Sequence, residues 1–172
     1  EAFSEHVPLP TALRAAAAEA YGSTFRAELT DGRATEDMIA ACLRVGSVHN
    51  DTPIPTGRLT ALDSVSETTF RACRRDIQSE LEYQAAAVEP AKYLWVFESE
   101  LDVAAATLTE TQAFLDSIND ETVLVGKSPA GIAAAGLYWT ADEITQQAVA
   151  DVAGGSTETI RLRITDFEEV VA

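Results

Sequence analysis

The chain has 172 residues, 47% of them apolar, and its 28 acidic against 12 basic side chains give a formal net charge of −16. An apolar fraction of that size, with only 9 Gly and 6 Pro, belongs to a folded globular chain and excludes a disordered one. No stretch is long and apolar enough for a membrane span and no signal peptide is visible, so the expected compartment is the cytoplasm.

The imbalance has a second side, because ten of the twelve cations are Arg and only Lys92 and Lys127 are lysines. Self-repulsion on such a surface opposes compaction at low ionic strength, whereas screening shortens to ~3 Å at 1 M salt. Acid excess together with lysine scarcity points to adaptation to concentrated salt, with an ordinary acidic cytoplasmic protein as the alternative.

In chain order, Ala2 to Val7 reads as the tail of a helix, so the chain is expected to begin part-way through its first element. Pro10-Thr11 opens a helix to about Ala27, with Leu13, Ala17, Ala20 and Tyr21 on one stripe. The next runs from Arg33 to about Ser47. A loop with Pro53, Pro55 and Gly57 leads into a short helix from about Thr56 to Asp63 that turns Leu59 and Leu62 inward. Ser64-Val65-Ser66-Glu67 has capping-box spacing ahead of a helix from about Ser66 to Tyr83, and Ala85 to Glu89 reads as a connection.

Beyond it, Pro90 to Leu101 is predicted as an amphipathic helix bearing Tyr93, Leu94, Phe97 and Leu101, and Val103 to about Ile118 as the next. The following helix is the most sharply marked, since Ser128 can cap it and Pro129 sits where a missing N–H costs nothing. Ile132, Ala135, Gly136 and Trp139 share a stripe, and the other faces are Ala and Gly almost throughout. A helix without a polar face is expected to be surrounded by its neighbours. Thr145 to Ala153 is short, Gly154-Gly155 turns the chain, and Ser156 to Val170 is the last helix, with Ile160, Ile164 and Phe167 inward.

The two halves repeat. A spacing of 94 residues sets Gly32 against Gly126, Arg33 against Lys127, Met38 against Ile132 and Leu43 against Leu137, and upstream Phe3 against Phe97 and Val7 against Leu101. Further on, a spacing of 90 sets Thr69-Phe70-Arg71 against Thr159-Ile160-Arg161 and Ile77 against Phe167, so the first copy carries four extra residues, expected in the Val48 to Pro55 loop. So long a period marks a duplicated domain, not a solenoid. The expected fold is all-α: two five-helix bundles, residues 1–86 and 87–172.

Each bundle is predicted to end in a short helix, a tight turn and a longer helix, the layout of a helix-turn-helix. The outer faces of the two long helices would carry Ser156, Thr157, Thr159, Arg161 and Arg163 in one copy and Arg71, Arg74 and Arg75 in the other. Arg can bridge guanine edges or hold phosphates, and hydroxyls at a helix start can bond phosphate oxygens. The same layout also occurs in bundles that never touch DNA. Cys42 and Cys73 lack metal-ligand spacing and read as reduced core residues. His6 and His49 have no nucleophile or ligand partner at a telling spacing, so no enzyme chemistry is predicted.

Gly126-Lys127-Ser128-Pro129, continuing through Gly131-Ile132-Ala133-Ala134-Ala135 and Leu137-Tyr138, together with Val149 to Gly154 and Thr159-Ile160-Arg161-x-Arg163, resembles archaeal transcription initiation factor B, counterpart of eukaryotic transcription factor IIB. Gly32-Arg33-Ala34 and Ile39-Ala40-Ala41-Cys42-Leu43 resemble the matching helix of that family's first repeat. The resemblance implies two cyclin-like repeats that hold the TATA-box-binding protein on bent promoter DNA and help position RNA polymerase, in a monomer associated with the nucleoid. By position it implies that Arg161 and Arg163, with Ser156, Thr157 and Thr159, face DNA upstream of the TATA box. Gly32, Arg33 and the matching Lys127 would join the DNA-facing set, the Gly32-Arg33 loop lying at the minor groove downstream. Arg71, Arg74 and Arg75 would face a protein partner. Glu158, Gly155 and Glu67-Thr68 depart from the family's apolar, Val and basic residues at those places. The family's zinc belongs to an N-terminal ribbon that this sequence does not contain, so no cofactor is expected here. A cyclin-type scaffold that binds protein without DNA is the alternative reading.

Helical circular dichroism and the thermal midpoint are both expected to rise from low salt to molar KCl, because screening removes a repulsive term while burial persists. A flat or falling midpoint across that range would return the acidic surface to the ordinary cytoplasmic reading.

Overall fold

In the computed structural model the described residues are 9–81, 83 and 87–172, and all of their regular structure is helical. The chain divides into two compact units at Ala87–Val88. The first holds α1 (Thr11–Arg26), α2 (Thr35–His49), α3 (Thr56–Thr60) and α4 (Glu67–Glu80). In the second, a 3-10 turn (Pro90–Tyr93) leads into α5 (Leu94–Glu100), then come α6 (Ala105–Ile118), a second 3-10 turn (Thr122–Leu124), α7 (Pro129–Thr140), α8 (Gln146–Ala153) and α9 (Thr157–Val171). The predicted first helix, His6, and the Phe3 and Val7 pairings lie outside the described residues, as do Ala85 and Ala86 of the predicted Ala85–Glu89 connection.

The duplication fixes helix starts. α1 and α6 begin 94 residues apart, as do α2 and α7, while α3 and α8, and α4 and α9, begin 90 apart. The four extra residues are not all in the loop, however. α2 has 15 residues against 12 in α7, so three of the four lengthen α2, and one lengthens the connection, residues 50–55 against 141–145. The added turn is tied down at Ser47, whose buried hydroxyl donates to the Arg44 carbonyl at 2.8 Å and accepts from the Ile54 N–H at 3.1 Å. In α7, Thr140 closes the helix by pairing with the buried Thr111 hydroxyl at 2.6 Å.

Two local expectations are corrected. The cap of α4 is Ser66, which accepts from Thr69 N–H, and not Ser64. Asp37, buried on α2, accepts from the Ser66 backbone N–H at 2.7 Å, while Glu67, the first residue of α4, pairs with Arg71 one turn on. The segment from Pro90 starts as a 3-10 turn and becomes α-helical only at Leu94.

At the centre of the second unit, α7 is buried at every residue from Ala130 to Leu137. Ser128 caps it, accepting from Gly131 N–H at 3.3 Å. The core around it contains Phe97, Leu115, Ile118 and Phe167. Trp139 departs from the buried stripe, being 40% exposed; it stacks on Phe114 at a centroid distance of 6.1 Å and meets Phe167 edge-on. α2 is the counterpart in the first unit, burying Met38, Ala40 to Leu43 and Val45. Cys42 and Cys73 are both buried free thiols, and burial pushes the Cys42 pKa up to about 12.

Small residues set how closely these helices approach. A Cβ on Gly46 would lie 3.2 Å from the Ala16 backbone of α1, and one on Gly136 only 2.7 Å from a methyl of Leu115 on α6. Gly136→Ala is therefore expected to cost about 1–3 kcal/mol by overpacking. The same change should cost less in a Leu115→Ala background, read as the coupling in a denaturation double-mutant cycle.

Candidate nucleic-acid interface

The last helix of the second unit is the candidate DNA reader and that of the first carries the candidate partner-facing arginines, and their presentation follows from local sequence. Gly154 takes a left-handed conformation (φ 62°) after α8, with its N–H on the Asp151 carbonyl at 3.1 Å and the Gly155 N–H on the Ala150 carbonyl at 2.9 Å. These paired bonds form a Schellman motif, which a glycine at the left-handed position makes inexpensive. Ser156 then caps α9 by accepting from Thr159 N–H at 3.2 Å. Three residues thus reverse the chain between α8 and α9. In the first unit Ser66 occupies the matching position and caps α4 in the same way.

Around α9, Ile160 and Phe167 are buried, and Glu158, Arg161, Leu162, Thr165, Glu168 and Glu169 are exposed. Arg161 is the presented cation, 64% exposed, its guanidinium 3.5 Å from Glu158. Arg163 is placed differently. Its side chain is only 13% exposed, with Nε 3.0 Å from Asp166 Oδ2, near enough for Coulomb attraction but off the hydrogen-bond direction. Ser156 is exposed and Thr157 half-buried, while the Thr159 methyl lies 3.2 Å from where a Cβ on Gly131 of α7 would stand. On α4, Arg71 is exposed and pairs with Glu67, Arg75 is exposed, and Arg74 is half-buried.

The loop cations are not free. Arg33 donates to Asp76 on α4 at 2.5 Å, and Lys127 donates to Asp166 on α9 at 2.6 Å. Both cations are only about a quarter exposed. Arg33 holds the Asp76 carboxyl below its usual range, chiefly through that hydrogen bond. A depressed carboxylate pKa contributes stability that is complete above the ordinary value, ~3.9, and fades as pH falls below it. Gly32 (φ 71°) and Gly126 (φ 77°) precede the cations in matching left-handed turns.

Asp76 and Asp166 did not stand out in the sequence. The spacing that pairs Ile77 with Phe167 also pairs Asp76 with Asp166, one residue earlier, and the spacing of 94 pairs their cations. The charge distribution is equally uneven: residues 1–87 carry 8 basic and 13 acidic side chains, residues 88–172 carry 4 and 15. Among the described residues no group of three His, Cys, Asp or Glu is arranged to hold a metal ion, and no helix is long and apolar enough to cross a membrane.

Comparison with known proteins adds to this geometry. Residues 1–79 match the family described as Transcription factor TFIIB repeat. Transcription initiation factor IIB 2 of Halobacterium salinarum is 28% identical over 173 residues, covering 98% of this chain and 53% of that protein. Transcription initiation factor IIB of Methanopyrus kandleri is 27% identical over 176 residues, covering 99% and 57%, and that of Methanococcus aeolicus is 29% identical over 165 residues, covering 94% and 49%. The chain spans about half the length of the curated relatives it matches.

Removing Asp166 leaves Lys127 and Arg163 half-buried without their carboxylate, whereas Arg161 sits in a solvent-exposed pair. Asp166→Ala should therefore cost about 1–3 kcal/mol in denaturant unfolding and Arg161→Ala less than about 0.5. Equal costs would contradict this division between internal and presented charges.

Proposed function

We propose that this chain, whose residues 1–79 match the Transcription factor TFIIB repeat family and which is similar along its length to transcription initiation factors IIB, is the two-repeat core of such a factor. In this reading residues 1–86 and 87–172 are cyclin-like repeats that bind the TATA-box-binding protein on promoter DNA and help position RNA polymerase. The observation that carries it is the start of α9: a three-residue turn presents capped hydroxyls and the exposed Arg161 at the end of a helix-turn-helix layout.

Within that assignment Ser156, Thr157 and Arg161 supply phosphate or base-edge contacts upstream of the TATA box. Arg163 and Thr159 support the helix from its inner side. Gly32, Arg33 and Lys127 belong to loops beside the DNA, and Arg71, Arg74 and Arg75 face the protein partner. The charge of −16 opposes approach to a polyanion, so affinity for naked duplex is low and the complex depends on the TATA-box-binding protein. The acid-rich exposed face of α9, with Glu158, Glu168 and Glu169, supports a second reading as a cyclin-type scaffold that contacts protein alone.

A gel shift with promoter DNA separates the two. The initiation-factor reading expects no shift with the chain alone at moderate salt and a shift when the TATA-box-binding protein is added. Arg161→Ala should weaken that ternary complex by ~1–3 kcal/mol with helicity unchanged. Tight binding to random duplex by the chain alone, or an Arg161→Ala complex equal to the parent, overturns it.

A further inference from the structure

The same construction occurs twice, once in each unit. A left-handed Gly precedes a cation, Gly32 before Arg33 and Gly126 before Lys127. The cation's backbone N–H closes a turn onto the residue three before it, Arg33 to the Thr30 carbonyl at 3.3 Å and Lys127 to the Leu124 carbonyl at 3.2 Å. Its side chain then reaches the middle of the last helix, to Asp76 at 2.5 Å and Asp166 at 2.6 Å. Each Asp also attracts a cation of its own helix, Arg75 at 3.6 Å and Arg163 at 3.0 Å. The surrounding residues differ, Asp31 and Ala34 in one loop against Val125 and Ser128 in the other, and so does the cation. What the two loops keep is the turn and the carboxylate.

We propose that Asp76 and Asp166 are positioning residues that park Arg33 and Lys127 against the last helix, withholding both loop cations from phosphate in the free protein. The proposal rests on the DNA-binding reading above and goes beyond it. For a phosphate to take either cation it must displace a carboxylate already at contact distance, and the displaced carboxylate would then stand beside a polyanion. A charge-assisted bond to a half-buried Asp is not a loosely screened surface pair that DNA can exchange at no cost. The loop cations therefore contribute little to counterion release, although they lie in the segments that the family resemblance assigns to DNA. Replacing Asp by the near-isosteric Asn removes the competing charge and makes the cation available.

The test is a double-mutant cycle on the whole chain, at a salt concentration where circular dichroism shows the parent fully helical. In the ternary complex with the TATA-box-binding protein and promoter DNA, Arg33→Gln and Lys127→Gln are each expected to weaken binding several-fold less in the parent than in the matching Asp→Asn background. Asp76→Asn and Asp166→Asn should each tighten binding by about tenfold and steepen the slope of log K against log salt by about one. Arg33→Gln added to Asp76→Asn, and Lys127→Gln added to Asp166→Asn, should each cancel the gain. A merely structural role predicts instead that the Asn variants weaken the complex with no steeper slope, and that result overturns the proposal. So does a tenfold loss on removing either cation from the parent, a comparison that decides alone if an Asn variant loses its helical signal. A second arm uses random duplex without the partner protein. If the parent forms no ternary complex yet the Asn variants gain duplex affinity with a steeper slope, the initiation-factor reading falls and the parked cations stand.

Discussion

Everything in the second unit is arranged by one constraint, a helix of Ala and Gly that has to be enclosed. Apart from Ile132 and Leu137, the buried residues of α7 are Ala and Gly, so those faces can be buried only if larger neighbours come close. Gly136 admits Leu115 of α6, and Gly131 admits the Thr159 methyl of α9. Phe97, Ile118 and Phe167 then supply the apolar area that α7 lacks. Dense packing of this kind is sensitive to single methyl groups. The first unit solves the same problem with bulkier residues, Met38, Cys42 and Leu43, and lets Gly46 touch the α1 backbone.

The acidic surface acts on a different level from this core. Residues 88–172 carry 15 acidic side chains against 4 basic ones, and two of the four cations, Lys127 and Arg163, are turned toward Asp166. Positive charge is thus used internally to join a loop to the last helix, leaving Arg161 as the cation that α9 presents. In the first unit Arg33 is spent in the same way on Asp76, while Arg71 and Arg75 stay on the exposed side of α4. Concentrated salt screens exposed repulsion strongly and half-buried pairs much less.

Helix positions were legible because their signals are local. Ser128-Pro129, Thr145, Gly154 and Ser156 mark starts and stops by caps and a left-handed turn, and the structure places helix ends at each of them. The duplication was legible because one spacing satisfied many pairs. Less was legible where the deciding partner is remote in sequence. Ser64 satisfied the capping-box pattern, but the cap is Ser66, whose own N–H is held by Asp37, 29 residues earlier. Arg33, Lys127 and Arg163 read as outward-facing cations, since nothing within a few residues shows that Asp76 and Asp166 meet them. Trp139 fell on the buried stripe by periodicity, yet at the end of α7 it lies beside Phe114 with one side toward solvent.

Amide hydrogen exchange at molar KCl tests the enclosed-helix account most directly. If α7 and α2 are the enclosed elements, amides from Ile132 to Trp139 and from Met38 to Gly46 should be the slowest in their units, opening only with global unfolding, while α8 and the Pro90–Tyr93 turn exchange earlier. Exchange in α7 as fast as in α8 would contradict it, and would mean that the Ala and Gly helix is carried by its neighbours and does not organise them.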